Sequence, residues 1–129
     1  MFNSYRIGKP FIVSEKMDPL SNEVYEFMLS ILPDGVGSVN IEEMKQAISD
    51  GNIIILDARN EELFKISHIP SAISFPENDM QKKMYELNDK LDRNKKVYVY
   101  CDGGECGSSI EVARLLQYEG FSEIKVYIG

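Results

Sequence analysis

The stretch Val97-Tyr-Val-Tyr-Cys-Asp-Gly-Gly-Glu-Cys-Gly-Ser-Ser109 constrains the fold of this chain more than any other. Val97 to Tyr100 are β-favouring residues and read as a short buried strand. Cys101 follows at once, then a loop holding Gly103, Gly104 and Gly107. Ser108 and Ser109 are both good helix N-caps, and Ile110 to Tyr118 is a credible helix. The segment therefore predicts a cysteine at the carboxyl end of a strand, facing the start of a helix. Open α/β sheets place their ligands there.

The expected chemistry follows from that position. A helix N-terminus carries about half a positive charge and several unpaired N–H groups. Loop glycines let further N–H groups converge into an anion nest. A thiol in such a nest shifts toward thiolate, its nucleophilic form. The same nest suits a larger anion carried on the sulfur, such as a persulfide. The competing reading makes Cys101 a small buried hydrophobe that ends a strand. The glycine loop and the helix behind it favour the functional reading.

Cys106 is a second thiol in the same loop. The glycines of this Cys-x4-Cys loop allow the two sulfurs to meet, so that a persulfide on one is resolved by the other as a disulfide. The alternative is an ordinary loop residue.

The rest of the chain alternates strands with helices. Ser38-Val39 is a very short strand. Ile53 to Leu56 is an unbroken apolar run, expected of a strand buried on both faces of a parallel sheet. Ala72 to Phe75 and Ile124 to Ile128 complete five. Between them, Asn40 and Glu43 form a capping-box start, Ile41, Met44 and Ile48 share one helical face, and Gly51 suits the C′ position. A short helix runs from Asn60 to Ile66, with Glu61 and Glu62 complementing its dipole. Met80, Met84, Leu87 and Leu91 form a helical stripe, with Lys82, Lys83 and Lys90 outside. The pattern predicts an α/β fold with an open, mostly parallel five-stranded sheet.

Ahead of this lies a helical extension, residues 1–37, expected to pack on the domain of residues 38–129. Val24, Phe27, Met28, Ile31 and Leu32 form its apolar stripe. Pro19 suits its first turn and Pro33 stops it. Phe2, Tyr5, Phe11 and Ile12 are expected to fold back onto the core.

Composition narrows the function classes. A chain of 129 residues with 43% hydrophobic and 27% charged residues is ordinary for one globular domain. A net charge of −7 argues against nucleic acid or an anionic membrane as partner. The apolar runs are too short to span a bilayer, and the N-terminus has no secretory h-region. Two cysteines without a signal point to function in a reducing cytoplasm. His68 is the sole histidine, and no spacing around it resembles a zinc site. It also stands as a candidate general base for Cys101. Asp57 and Arg59, at a strand's carboxyl end, either border the site or form a structural ion pair.

Three segments together resemble the rhodanese-like domains. They are the strand, Tyr-Cys, glycine loop and Ser-Ser-Ile helix around Cys101; Ile54-Ile-Leu-Asp-Ala-Arg59; and His68-Ile-Pro-Ser-Ala-Ile-Ser-Phe-Pro76, similar to the family's Gly-His-Ile-Pro-Gly-Ala segment. They cover about Ser38 to Gly129, in the family's order. The resemblance implies helices on both faces of the sheet and a sulfurtransferase with Cys101 as the catalytic nucleophile. Its active-site loop is Asp102, Gly103, Gly104, Glu105, Gly107, Ser108 and Ser109. It also implies architectural roles for Asp57, Arg59 and His68, no metal and no organic cofactor. The partners it implies are a small sulfur-containing donor and a thiol or protein acceptor.

The departures from the family are specific. Ser67 stands where the family has glycine. If Ser109 is the serine that opens the helix, the loop is two residues longer than in simple members. Longer loops occur in phosphatases of the same fold, which clamp phosphate with an arginine at the loop's end. Ser108 and Ser109 occupy that place here, and Arg114 lies more than a turn on. Asp102 and Glu105 oppose an anionic substrate, and the chain stops at Gly129, where the family usually continues into another helix. Both features favour a second expectation, a non-catalytic interaction or redox-sensing module.

Overall fold

The computed structural model describes residues 22–101 and 107–128. Phe2, Tyr5, Phe11, Ile12 and Pro19 lie outside them, as do residues 102–106 and Gly129. Five strands, β1 (Gly37–Val39), β2 (Ile54–Asp57), β3 (Ile73–Ser74), β4 (Lys96–Tyr100) and β5 (Glu123–Tyr127), form one sheet. Their order is β1-β5-β4-β2-β3, and every neighbouring pair is parallel. The helices are α1 (Asn22–Ser30), α2 (Ile41–Asp50), α3 (Glu61–Ile66), α4 (Met80–Leu87) and α5 (Ser108–Tyr118). A 3-10 turn at Glu77–Asp79 leads into α4.

Parallel strands need crossover helices, and those helices cover both faces of the sheet. Alternation along β4 divides the core accordingly. Val97 and Val99 face a layer built with Met28 of α1, Met84 of α4 and Val112 and Leu116 of α5. Tyr98 and Tyr100 face the other layer, with Met44 and Ala47 of α2 and Phe64 of α3.

Topology then decides where a site can form. From β2 the chain crosses through α3 to β3 on one side; from β4 it crosses through α5 to β5 on the other. The two connections diverge from the carboxyl ends of adjacent strands and leave a crevice between them. Such a switch point is where open α/β sheets bind ligands. Asp57 ends β2 and Cys101 follows β4, so both stand at that crevice.

Caps hold the flanking helices in place. Glu43 N donates to Asn40 Oδ1 at 2.8 Å, and Asn40 N donates to Glu43 Oε1 at 3.0 Å. Gly51 closes α2 in the left-handed region, φ 75°. Leu63 N donates to Asn60 Oδ1 at 3.0 Å, fixing the start of α3 directly after β2. Each such N-cap contributes about 1 kcal/mol.

The N-terminal stripe departs from expectation at one residue. Met28 is buried and Val24, Leu29, Ile31 and Leu32 pack against the same core, while Phe27 is 59% exposed. The seam of α1 is centred between Val24 and Leu29, which leaves Phe27 on its flank.

Candidate active site

Cys101 has the same strand parity as Val97 and Val99, so its side chain joins the layer that contains α5. Its Sγ lies 3.7 Å from Ser109 Oγ. Both residues are buried, at 8% and 2% exposure. Cys101 is disulfide-bonded, and no cysteine among the described residues is a free thiol. A disulfide sulfur, like a thiolate, carries no hydrogen, so the serine hydroxyl is the group that can donate between these atoms.

The start of α5 differs from the sequence expectation. Neither Ser108 nor Ser109 caps the helix or belongs to the loop. Gly107 occupies the cap position with no side-chain bond, and both serines lie in the first turn. The reason is tertiary. Ser108 Oγ donates to Glu77 Oε1 at 2.9 Å, and Ser109 Oγ faces the cysteine sulfur. Both hydroxyls are engaged away from the backbone they were expected to cap.

Asp57, Arg59 and Tyr100 form one buried network. Asp57 has no exposure. Its carboxylate accepts from Arg59 Nε, at 3.1 and 3.2 Å, and from Arg59 Nη2 at 2.9 Å. It also accepts from the Arg59 backbone N at 2.9 Å and from the Tyr100 hydroxyl at 2.7 Å. The same hydroxyl accepts from Ile69 N at 3.1 Å, and Arg59 Nη2 donates to Ser67 O at 2.6 Å. The network ties the end of β2, the end of β4 and the segment before β3 into one rigid rim. Tyr100, read from sequence only as a strand residue, is thus part of the site's frame. A buried tyrosine needs a partner for its hydroxyl, and that requirement was the available signal.

Burial and then the neighbouring Asp57 charge push the ionisation of Tyr100 far above the ordinary tyrosine range. An unfolded chain loses this proton above about pH 10, while the folded chain keeps it. The stability Tyr100 contributes is therefore complete below that pH and declines as pH rises beyond it. Urea unfolding between about pH 9 and 11 should show a steeper loss for the wild type than for Tyr100→Phe. Equal slopes would mean that this hydroxyl does not carry the linkage.

His68 stacks on Phe64, with ring centroids 3.7 Å apart and planes 5° from parallel, and its Nδ1 lies 2.7 Å from Phe64 O. The carbonyl can only accept, so Nδ1 carries the hydrogen. Ser67 has an extended backbone, φ −166°, which needs no glycine. Ser71, by contrast, takes φ 66°. Arg114 pairs with Glu111 at 3.6 Å and its side chain is 53% exposed, so it is not turned into the crevice as a phosphate clamp would be. Among the described residues no three of His, Cys, Asp and Glu converge to hold a metal ion. No helix among them is long and apolar enough to cross a membrane.

The family model described as "Rhodanese-like domain" matches residues 40–129. The Bacillus subtilis protein YrkF is 30% identical over 90 residues, 69% of this chain and 45% of its own length. The thiosulfate sulfurtransferase GlpE of Coxiella burnetii is 32% identical over 87 residues, 67% of this chain and 76% of the relative. The crystal structure of the BH2092 protein from Bacillus halodurans superposes with a TM-score of 0.65 at 29% identity, covering 84% of this chain and 75% of that one. The chain spans less than half the length of the first curated relatives it matches.

Proposed function

The chain belongs to the rhodanese-like family, and on that premise we propose that it is a sulfurtransferase in which Cys101 carries a sulfane sulfur as a persulfide. The observation that carries this reading is the position of Cys101. It sits at the switch point of the sheet, against the first turn of α5, with the Ser109 hydroxyl 3.7 Å from its sulfur.

The reaction runs in two displacements. The Cys101 thiolate attacks the outer sulfur of a donor, the donor's S–S bond breaks, and the rest of the donor leaves with the electron pair. An acceptor nucleophile then attacks the terminal sulfur, and the Cys101 thiolate departs. Ser109 donates a hydrogen bond to the sulfur anion in both steps, and the positive end of α5 stabilises it. The rim of Asp57, Arg59 and Tyr100 holds the two strand ends in register while charge moves. His68 is a structural residue in this account, its Nδ1 hydrogen given to Phe64 O. Small sulfur compounds serve as donors and thiols or protein cysteines as acceptors, in a cytoplasm whose thiols keep Cys101 reduced.

A second reading has one feature in its favour, the second cysteine, Cys106, five residues after Cys101. A loop that cycles between dithiol and disulfide would act as a redox-sensing module. The assay that separates them supplies the reduced protein with thiosulfate and cyanide. Thiocyanate accumulating in proportion to protein is expected of the sulfurtransferase. Its absence, with persulfide donors inactive as well, would leave the redox module.

A further inference from the structure

Beside the Cys101 crevice is a cavity of about 220 Å3, lined in part by Ala58, Arg59, Asn60, Glu77, Asn78 and Ser108. Ala58 N donates to Tyr100 O at 2.8 Å, which places the cavity wall one residue from Cys101. Two charged side chains line it, and they are not equivalent. Arg59 is turned inward onto Asp57 and Ser67 O, with its side chain 7% exposed, so its charge is compensated where it stands. Glu77 is half-buried at the head of the 3-10 turn, and Ser108 Oγ holds its carboxylate at the first turn of α5. The chain has no lysine or arginine between Cys101 and Arg114 to offset it.

Resting on the sulfur-transfer reading, we infer that Glu77 is a specificity-determining residue. Its carboxylate, held by Ser108 beside the crevice, disfavours dianionic sulfane donors and favours persulfides that are neutral or cationic next to the reacting sulfur. The chemistry balances for both donor classes, but the charges differ. When the Cys101 thiolate attacks thiosulfate, a new S–S bond forms, the old one breaks, and sulfite leaves with the electron pair. That encounter already brings together three negative charges, and Glu77 adds a fourth. When the donor is an alkyl persulfide bearing an ammonium group, the same displacement releases a thiolate, and the carboxylate attracts the ammonium. Ser108, which holds the carboxylate, is the chain neighbour of Ser109, whose hydroxyl faces the cysteine sulfur. Coulomb interaction from a half-buried carboxylate so placed sorts donors by charge.

The test compares thiosulfate with cysteamine persulfide as donors, at low and high salt, for the reduced wild type and for Glu77→Gln. Glu77→Gln is expected to raise kcat/KM for thiosulfate roughly tenfold at low salt and to lower it for cysteamine persulfide. The difference should shrink as salt is added, by less than it would for a fully exposed carboxylate. Ser108→Ala, which frees the carboxylate to swing away, should shift donor preference in the same direction by a smaller factor. A second readout does not depend on sulfur transfer. In a reduced Cys106→Ser background, the rate ratio of iodoacetate to iodoacetamide at Cys101 should rise when Glu77 becomes Gln. Equal changes for both donors, or an alkylation ratio that does not move, would overturn the role of Glu77 alone. Failure of wild type and variant to take sulfur from either donor would overturn the sulfur-transfer reading, and the donor preference with it.

Discussion

Cys101→Ser should abolish thiocyanate formation, by more than roughly a hundredfold, while Cys106→Ser keeps a measurable fraction of it. The asymmetry follows from placement. Cys101 follows the central strand directly, buried against the first turn of α5, where Ser109 faces its sulfur. A serine at that position is not ionised near neutral pH and does not accept a sulfane sulfur. Cys106 matters in this account only for reopening or closing a disulfide. Equal loss in both variants would show that the two cysteines act as a dithiol unit. Full activity in Cys101→Ser would remove Cys101 from the mechanism.

The second large effect is on stability. Asp57 is fully buried and accepts from three groups of Arg59 and from the Tyr100 hydroxyl. Asp57→Ala takes away the buried carboxylate that accepts from the Arg59 guanidinium and from the Tyr100 hydroxyl. Breaking a buried pair in this way costs about 3–5 kcal/mol. A domain's whole stability is about 5–15 kcal/mol, so the variant should lose at least about a fifth of it. The urea midpoint should fall by a corresponding amount with an unchanged m-value. Asp57→Asn, which keeps an acceptor for Tyr100, should fall less. A change below about 1 kcal/mol in Asp57→Ala would mean that the network does not hold the two strand ends together.

Much of this architecture can be read directly from residue order. The run Ile53 to Leu56 and the alternation Val97-Tyr98-Val99-Tyr100 predict strands buried on both faces, and the sheet uses them that way. Asn40, Glu43 and Gly51 announce both ends of α2 because capping is local chemistry within four residues. The position of Cys101 between strand and helix is legible for the same reason. What escaped is long-range. Tyr100 meets Asp57 across 43 residues, and Ser108 meets Glu77 across 31. No local pattern encodes such partners, so two serines that look like caps are drawn into tertiary bonds instead. Phe27 escaped because an apolar stripe gives a helix face but not the exact centre of its seam.

The most direct test of the central claim is an intact mass of the reduced protein after incubation with a sulfane donor and removal of excess reagent. The account predicts a gain of one sulfur atom, reversed by thiol or cyanide, located to Cys101 by peptide fragmentation and missing in Cys101→Ser. An unchanged mass with every donor, or a sulfur gain that persists in Cys101→Ser, would contradict it.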